Sequence, residues 1–300
     1  MSNLSPSSHY TAAALWVAAG LTLLFCYAVA SQRLLLGDRS AGWLYPYVAT
    51  FELRPLGAAL MALGISIALL STLPNPDTRN EWFVVAAWVT AGIALQLLIR
   101  SVGPFSMTRV FLSDDANAFY RVTQLTDAAT VLGDFAGSRA NWPLHAQSNM
   151  PGKIILLFAL ERLSASPRVL AWLIVVLSSA GGALMYAFVR NLFDDRKIGL
   201  FSLILYLVVP ARVFFLPLMN TVTPTVFLAC ACLVLRWVQT GAPWRAFGAG
   251  LAIYALVFFE PLPLVMGLLF LALIARSFVR REISWRQAAT GLVAGTIAFL

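Results

Sequence analysis

Long apolar runs fill most of this chain, and they are continuous rather than alternating. In hydrocarbon a backbone must satisfy its own polar groups, and about twenty helical residues cross a core of roughly 30 Å. Continuous runs of that length predict spanning helices. The pattern places them at about residues 11–30, 55–73, 82–99, 169–189, 198–218, 222–238 and 247–259, with a short one at 262–275 and another beginning near Gln287. The chain thus reads as an all-α polytopic membrane protein of about eight to nine transmembrane helices. The first run is too long for a signal-peptide core and is read as a membrane helix. The last is still apolar at Leu300, so the pattern stops inside a span.

One interval breaks the rhythm. Residues 101–168 contain no spanning run, yet they hold Asp114, Asp115, Asp127 and Asp134. Ser113 ahead of the acidic pair marks a helix start, and Ala118, Val122 and Leu125 fall on one face of the helix expected to follow. Residues 151–163, PGKIILLFALERL, are apolar but too short to span, and are expected to form a surface helix.

The chain is 60% hydrophobic and 11% charged with a mean hydropathy of +0.81, which excludes a soluble domain. Its net charge of +8 then reads as positive-inside topology, not as nucleic-acid binding. If residues 151–163 do not span, Arg190, Arg196 and Lys197, then Arg236 and Arg245, then Arg276, Arg280, Arg281 and Arg286 all mark connections on one side, the cytoplasmic one. The long loop then faces outward with the 216–222 connection and Glu260. Cys26, Cys230 and Cys232 lie in apolar runs and read as small hydrophobes, with no disulfide framework and no metal site.

Candidate chemistry gathers on that outer side. Adjacent carboxylates at Asp114 and Asp115 can deprotonate a hydroxyl or hold a divalent cation beside a phosphate; their plainer role is to complement a helix N-terminus. Arg121 follows them in the same stretch as a candidate substrate contact. In HAQSNMPGK, residues 145–153, His145, Asn149 and Lys153 supply polar and cationic groups, against the alternative of a cap and a snorkelling lysine. Glu260 in VFFEPLPLV is an acid in an apolar setting, functional if deep and inexpensive if at the interface. Arg212 reads as snorkelling or as facing an anionic head group. Asn220, Thr221 and Thr223 form a polar turn with Pro224 at a helix start. Asp194 and Asp195 read as a solvated turn.

From about Trp82 to Phe278 these motifs, in this order, resemble membrane glycosyltransferases of the GT-C fold. The resemblance is to the protein O-mannosyltransferase and lipid A aminoarabinose transferase group. SDDANAFY stands where that group has an acidic pair early in its first outer loop. NMPGK stands where it has His-Pro-Pro followed by Gly-Lys. The helix, basic loop and helix of RVLAWLIVVLSSAGGALMYAFVRNLFDDRKIGLFSLILYLVVP match in order, as does the hairpin GLAIYALVFFEPLPLVMGLLFLALIAR. The resemblance implies a GT-C-like domain over 82–300 preceded by two additional helices in 1–81. It implies a polyprenyl-phosphate sugar as donor and a lipid, glycan or protein acceptor, with a divalent cation as the one cofactor in view. The site would lie in the outer loop at the plasma membrane. Asp114 takes the place of the acceptor-activating carboxylate, Asp115 that of its neighbour and Lys153 that of the loop lysine. The second outer loop, LPLMNTVTP, lacks the group's acid, so Asn220 or Thr223 must substitute, and Glu260 stands where a lysine is common. A transporter of a lipid-linked substrate and a non-catalytic envelope scaffold are the competing expectations.

Overall fold

The computed structural model describes residues 17, 20–21, 23–24, 27–28, 31, 33, 37–38, 43–44, 53–72, 80–101, 106–261, 265 and 267–300. Two compact units divide at residue 51. In the first, the described residues include helical positions between 17 and 28 and a two-residue antiparallel ladder, β1 (Gly37–Asp38) with β2 (Trp43–Leu44), pairing Gly37 with Leu44 and Asp38 with Trp43. Most of the first expected span, together with Cys26, lies outside the described residues.

The second unit, from residue 52, is helical throughout its described length. It begins with α1 (Leu53–Thr72) and α2 (Glu81–Arg100), matching two expected spans. α1 packs against α2 and against α11 (Arg196–Leu207), so it belongs to the body of this unit. The central helix is α10 (Pro167–Phe193), against which α2, α11 and α13 (Thr223–Thr240) all pack. α14 (Pro243–Phe259), α15 (Gly267–Val279) and α16 (Trp285–Phe299) complete the bundle. Among the described residues three helical stretches are long and apolar enough to cross a membrane: 81–98, 167–193 and 219–240.

The expected span at 198–218 is broken. α11 ends at Leu207, and a separate short helix, α12 (Pro210–Phe215), begins with the proline at its first turn. Proline has no N–H to continue the ladder and blocks the helical conformation of the residue before it, so the chain leaves the helix there.

Each end of the bundle is fastened by polar groups. At one end Glu81, which opens α2, takes ion pairs from Arg190 at 2.8 Å and Arg196 at 3.1 Å and accepts a hydrogen bond from Tyr186 at 3.0 Å. The basic connections expected on one side do meet at this end. Gln239 Nε2 donates to the Asn191 carbonyl, and Arg276 Nη2 to that of Leu192. Asp195 is not merely solvated: it caps α11 by accepting from the backbone N–H groups of Lys197 and Ile198. Glu81 and Arg100 sit at opposite ends of a twenty-residue helix, which at 1.5 Å per residue is about 30 Å long.

At the other end residues 106–166 fold into a cap of short helices: α3 (Met107–Phe111), α4 (Asp114–Asn117), α5 (Phe119–Thr123), α6 (Ala128–Gly133), α7 (Phe135–Ser138), α8 (Leu144–Gln147) and α9 (Gly152–Glu161). Ser113 accepts from the Ala116 N–H as its N-cap, as the sequence predicts. The single amphipathic helix expected after it is instead two, broken at Ala118, and the three-residue face does not hold. Ala118 and Val122 are fully buried, while Leu125 lies beyond α5 and is 57% exposed. α9, ten residues long, is too short to span, and Ile154, Leu157 and Leu160 seat it on a core shared with Phe119 and Phe259.

Close backbone approach fixes the last helices. A Cβ at Gly250 of α14 would lie 2.1 Å from the Gly295 carbonyl oxygen of α16. Gly250→Ala should therefore push α14 and α16 apart. A cost of about 1–3 kcal/mol is expected from overpacking, read as a lower unfolding temperature of the purified protein.

Candidate functional site

Lys153 organises the cap. It sits in the first turn of α9, and its side chain has no solvent exposure. Its ammonium has three protons and donates three bonds: to Asn149 Oδ1 at 2.7 Å, to Asn220 Oδ1 at 2.7 Å and to Glu260 Oε2 at 2.8 Å. The rings of Phe119 and Phe259 flank it at 5.6 and 5.8 Å. Asn149 Nδ2 in turn donates to the His145 carbonyl, and Thr223 Oγ1 donates to Glu260 Oε2 at 2.5 Å. Glu260 is the C-cap of α14, Thr223 opens α13, and Asn220 lies in the 3-10 turn Met219–Val222. Five candidates scattered over 116 positions, His145, Asn149, Lys153, Asn220 and Glu260, thus converge. Thr223, weighed as a substitute for the missing acid, joins them.

Local chemistry explains the convergence. Pro151 and Gly152 turn the chain so that Asn149 and Lys153 lie on one side. A Cβ at Gly152 would stand 2.6 Å from the Phe258 carbonyl oxygen, so only glycine lets α9 press on the end of α14. Asn117 ties the cap to the same place from above. Its Nδ2 donates to the Phe111 carbonyl, and its Oδ1 accepts from the Met219 N–H at 3.1 Å.

Burial drives the Lys153 pKa below its usual value, against the opposing hydrogen bond and charge of Glu260. His145 stacks edge-on against Phe119 at 5.3 Å, and its Nε2 is buried with no partner. Burial, with the nearby Lys153 charge, holds its pKa below the usual 6.5, while Glu260 pulls the other way.

The remaining candidates stand apart. Asp114 is exposed at the start of α4, which packs against α8, the helix that carries His145. The Asp115 side chain lies outside the description. Arg121 is exposed on α5. Arg212 does not snorkel: it is 6% exposed and inserted among Gln96, Ser179 and the Leu207 carbonyl, with its guanidinium 4.8 Å from the Tyr206 ring. Among the described residues no three His, Cys, Asp or Glu side chains come together as metal ligands.

Arg100, Gln96 and Asn117 were not singled out from the sequence. Arg100 directly follows the expected span, and Gln96 one turn earlier on a largely apolar helix was a visible signal. Comparison with protein-family models, curated proteins and solved structures finds no match.

Lys153→Met strips the buried partner from Glu260 and the two asparagines. A loss of about 3–5 kcal/mol is expected, with part recovered in the Lys153→Met/Glu260→Gln double variant, both read by thermal unfolding. For His145 the folded pKa lies below the unfolded one. As pH falls through 6.5 the unfolded chain therefore takes up the proton first, and stability declines. His145→Gln should lose that part of the acid destabilisation, measured as the unfolding temperature between pH 7.5 and 5.

Proposed function

We propose that this protein is a membrane glycosyltransferase of the GT-C type, taking sugar from a polyprenyl-phosphate donor and passing it to an extracytoplasmic hydroxyl. The observation that supports this most is the convergence just described. A cap of short helices presents an exposed carboxylate, Asp114, at the bundle end where a buried cation and its polar partners gather. Separately, the order of motifs along the chain is that of the polyprenyl-phosphate-sugar transferases it resembles.

In this reading Asp114 takes the acceptor proton, and the acceptor oxygen attacks the anomeric carbon. The bond from that carbon to the phosphate oxygen breaks, and polyprenyl phosphate leaves with the electron pair. The departing charge needs fixed positive partners. Lys153, held by Asn149 and Asn220, supplies one. Glu260, 20% exposed, is the partner a phosphate reaches first and competes with. The apolar helices accept the prenyl chain, eight or nine of them crossing a plasma membrane with the cap outside. Asp115 and Arg121 orient the acceptor and donor from the cap.

Glu260 also bears on the transport reading, which needs an acid near the bilayer midplane beside broken helices. It caps the end of α14 instead of interrupting it, and this favours the enzyme. One observation favours a catalytically silent scaffold: all three Lys153 donors are already engaged.

Transfer from a panel of radiolabelled polyprenyl-phosphate sugars in proteoliposomes decides between them. Wild type should transfer, and Asp114→Asn should lose activity by about 100-fold to 10,000-fold, the usual worth of a general base, with donor binding retained. Wild-type activity persisting in that variant removes Asp114 from the role. No transfer by folded wild type from any donor leaves the scaffold.

A further inference from the structure

A second cationic centre lies beside the first. Arg100 and Arg212 are each 6% exposed, and among the described residues neither guanidinium has a carboxylate partner. Arg100 Nε donates to the Leu216 carbonyl at 2.8 Å, and its Nη2 is buried with no partner among the described residues. Arg212 Nη1 donates to Gln96 Oε1 and to the Leu207 carbonyl, and Nη2 to Ser179 Oγ; its Nε is buried without a partner. Gln96 and Arg100 are four residues apart on α2 and so share a face. Arg212 bonds Gln96, and Arg100 bonds the carbonyl four residues after Arg212. Both guanidiniums therefore flank the same stretch of α2 and the same short helix, α12.

Such an arrangement is costly as it stands. A buried charge is ordinarily paired, and an unbonded buried donor carries its full desolvation penalty. Tyr206 offsets part of this for Arg212 through its ring face. Lys153, more than fifty positions from either arginine in sequence, shows the ordinary solution, because it has Glu260. Among the described residues the two arginines have only neutral acceptors. What is missing is negative charge with acceptor oxygens.

Depth identifies the chemistry. Arg100 is the last residue of α2, and Glu81, the first, is fastened to the opposite end of the bundle. A helix about 30 Å long matches the hydrocarbon thickness, which puts Arg100 at the level of lipid phosphates and Arg212, bonded to Gln96, about 6 Å below it. Guanidinium suits this ligand, since its planar donors match phosphate oxygens.

We propose that Arg100 and Arg212, with Gln96 and Ser179 holding Arg212 in place, form a phosphate-binding site at the outer end of α2. It takes the phosphate of a phosphorylated lipid or free phosphate. The site concerns binding alone and does not require that the protein transfer a sugar.

The test is thermal unfolding of the full chain in detergent with polyprenyl phosphate, with the polyprenol of equal chain length and with inorganic phosphate. Wild type should be stabilised by polyprenyl phosphate and not by the alcohol. Arg100→Gln and Arg212→Gln should need at least about tenfold more ligand, the minimum for losing a charge-assisted hydrogen bond. Arg100→Gln should not be less stable than wild type without ligand, because it removes an uncompensated charge. Arg100→Lys keeps charge and should retain a partial response, and the Arg100 variants decide the matter if Arg212→Gln does not fold. Stabilisation by inorganic phosphate as well assigns free phosphate as a ligand; stabilisation by the lipid alone assigns the head group. An equal response to alcohol and phosphate, no response to either phosphate, or a wild-type response in both glutamine variants overturns the site. Because transfer is not measured, a protein that binds phosphate and transfers nothing would fail only the enzymatic reading.

Discussion

One ammonium group sets the geometry of the cap. Lys153 is fully enclosed, and an enclosed cation is costly unless its protons find acceptors. Those acceptors come from three places: the turn before α9, the connection before α13 and the end of α14. Moving any one of them would leave a charge unpaired in an apolar surround, so the three segments are held in a single register. The aromatic rings on either side exclude water and raise the stakes of that pairing. Gly152 lets the backbone come close enough for it.

The helices were legible in the sequence because hydrocarbon leaves so few alternatives. Runs near 55–73, 82–99, 169–189 and 222–238 return as helices whose ends move by only a few residues. Where the reading failed, a local term outweighed hydrophobic length. Pro210 divides a run that composition alone would carry through, and the chain turns at Ala118 although the apolar spacing continues. The membership of the Lys153 cluster was partly visible, since polar groups stand out in so apolar a chain. Their partnership was not, because Lys153 and Glu260 are separated by 107 positions of sequence. Arg100 and Gln96 were hidden for the opposite reason. Arg100 directly follows the expected span and Gln96 is a lone amide within it, and nothing local shows that the fold encloses them.

The two ends of the bundle use charge differently. At the Glu81 end one carboxylate serves two arginines that keep about 30% of their side-chain exposure, so water shares the load. At the cap end three cations, Lys153, Arg100 and Arg212, are enclosed, and among the described residues only Lys153 of these has an acid. The fold therefore sets two guanidiniums without a carboxylate against the segment from Leu207 to Leu216. An electrostatic preference for anions there follows from connectivity, whatever reaction it serves.

The fastening of α2 has a mechanical consequence for the bilayer. A spanning helix with free ends meets a membrane of the wrong thickness by tilting or by letting its terminal side chains reach outward. Glu81 cannot reach outward without releasing Arg190 and Arg196, and Arg100 cannot without releasing the Leu216 carbonyl. With both termini locked to neighbours, α2 cannot adjust alone, and in a bilayer the mismatch would fall on tilt of the whole bundle or on the lipid around it. Membrane thickness then becomes a variable that sorts this protein, favouring regions whose hydrocarbon depth matches the spacing of those two locked charges.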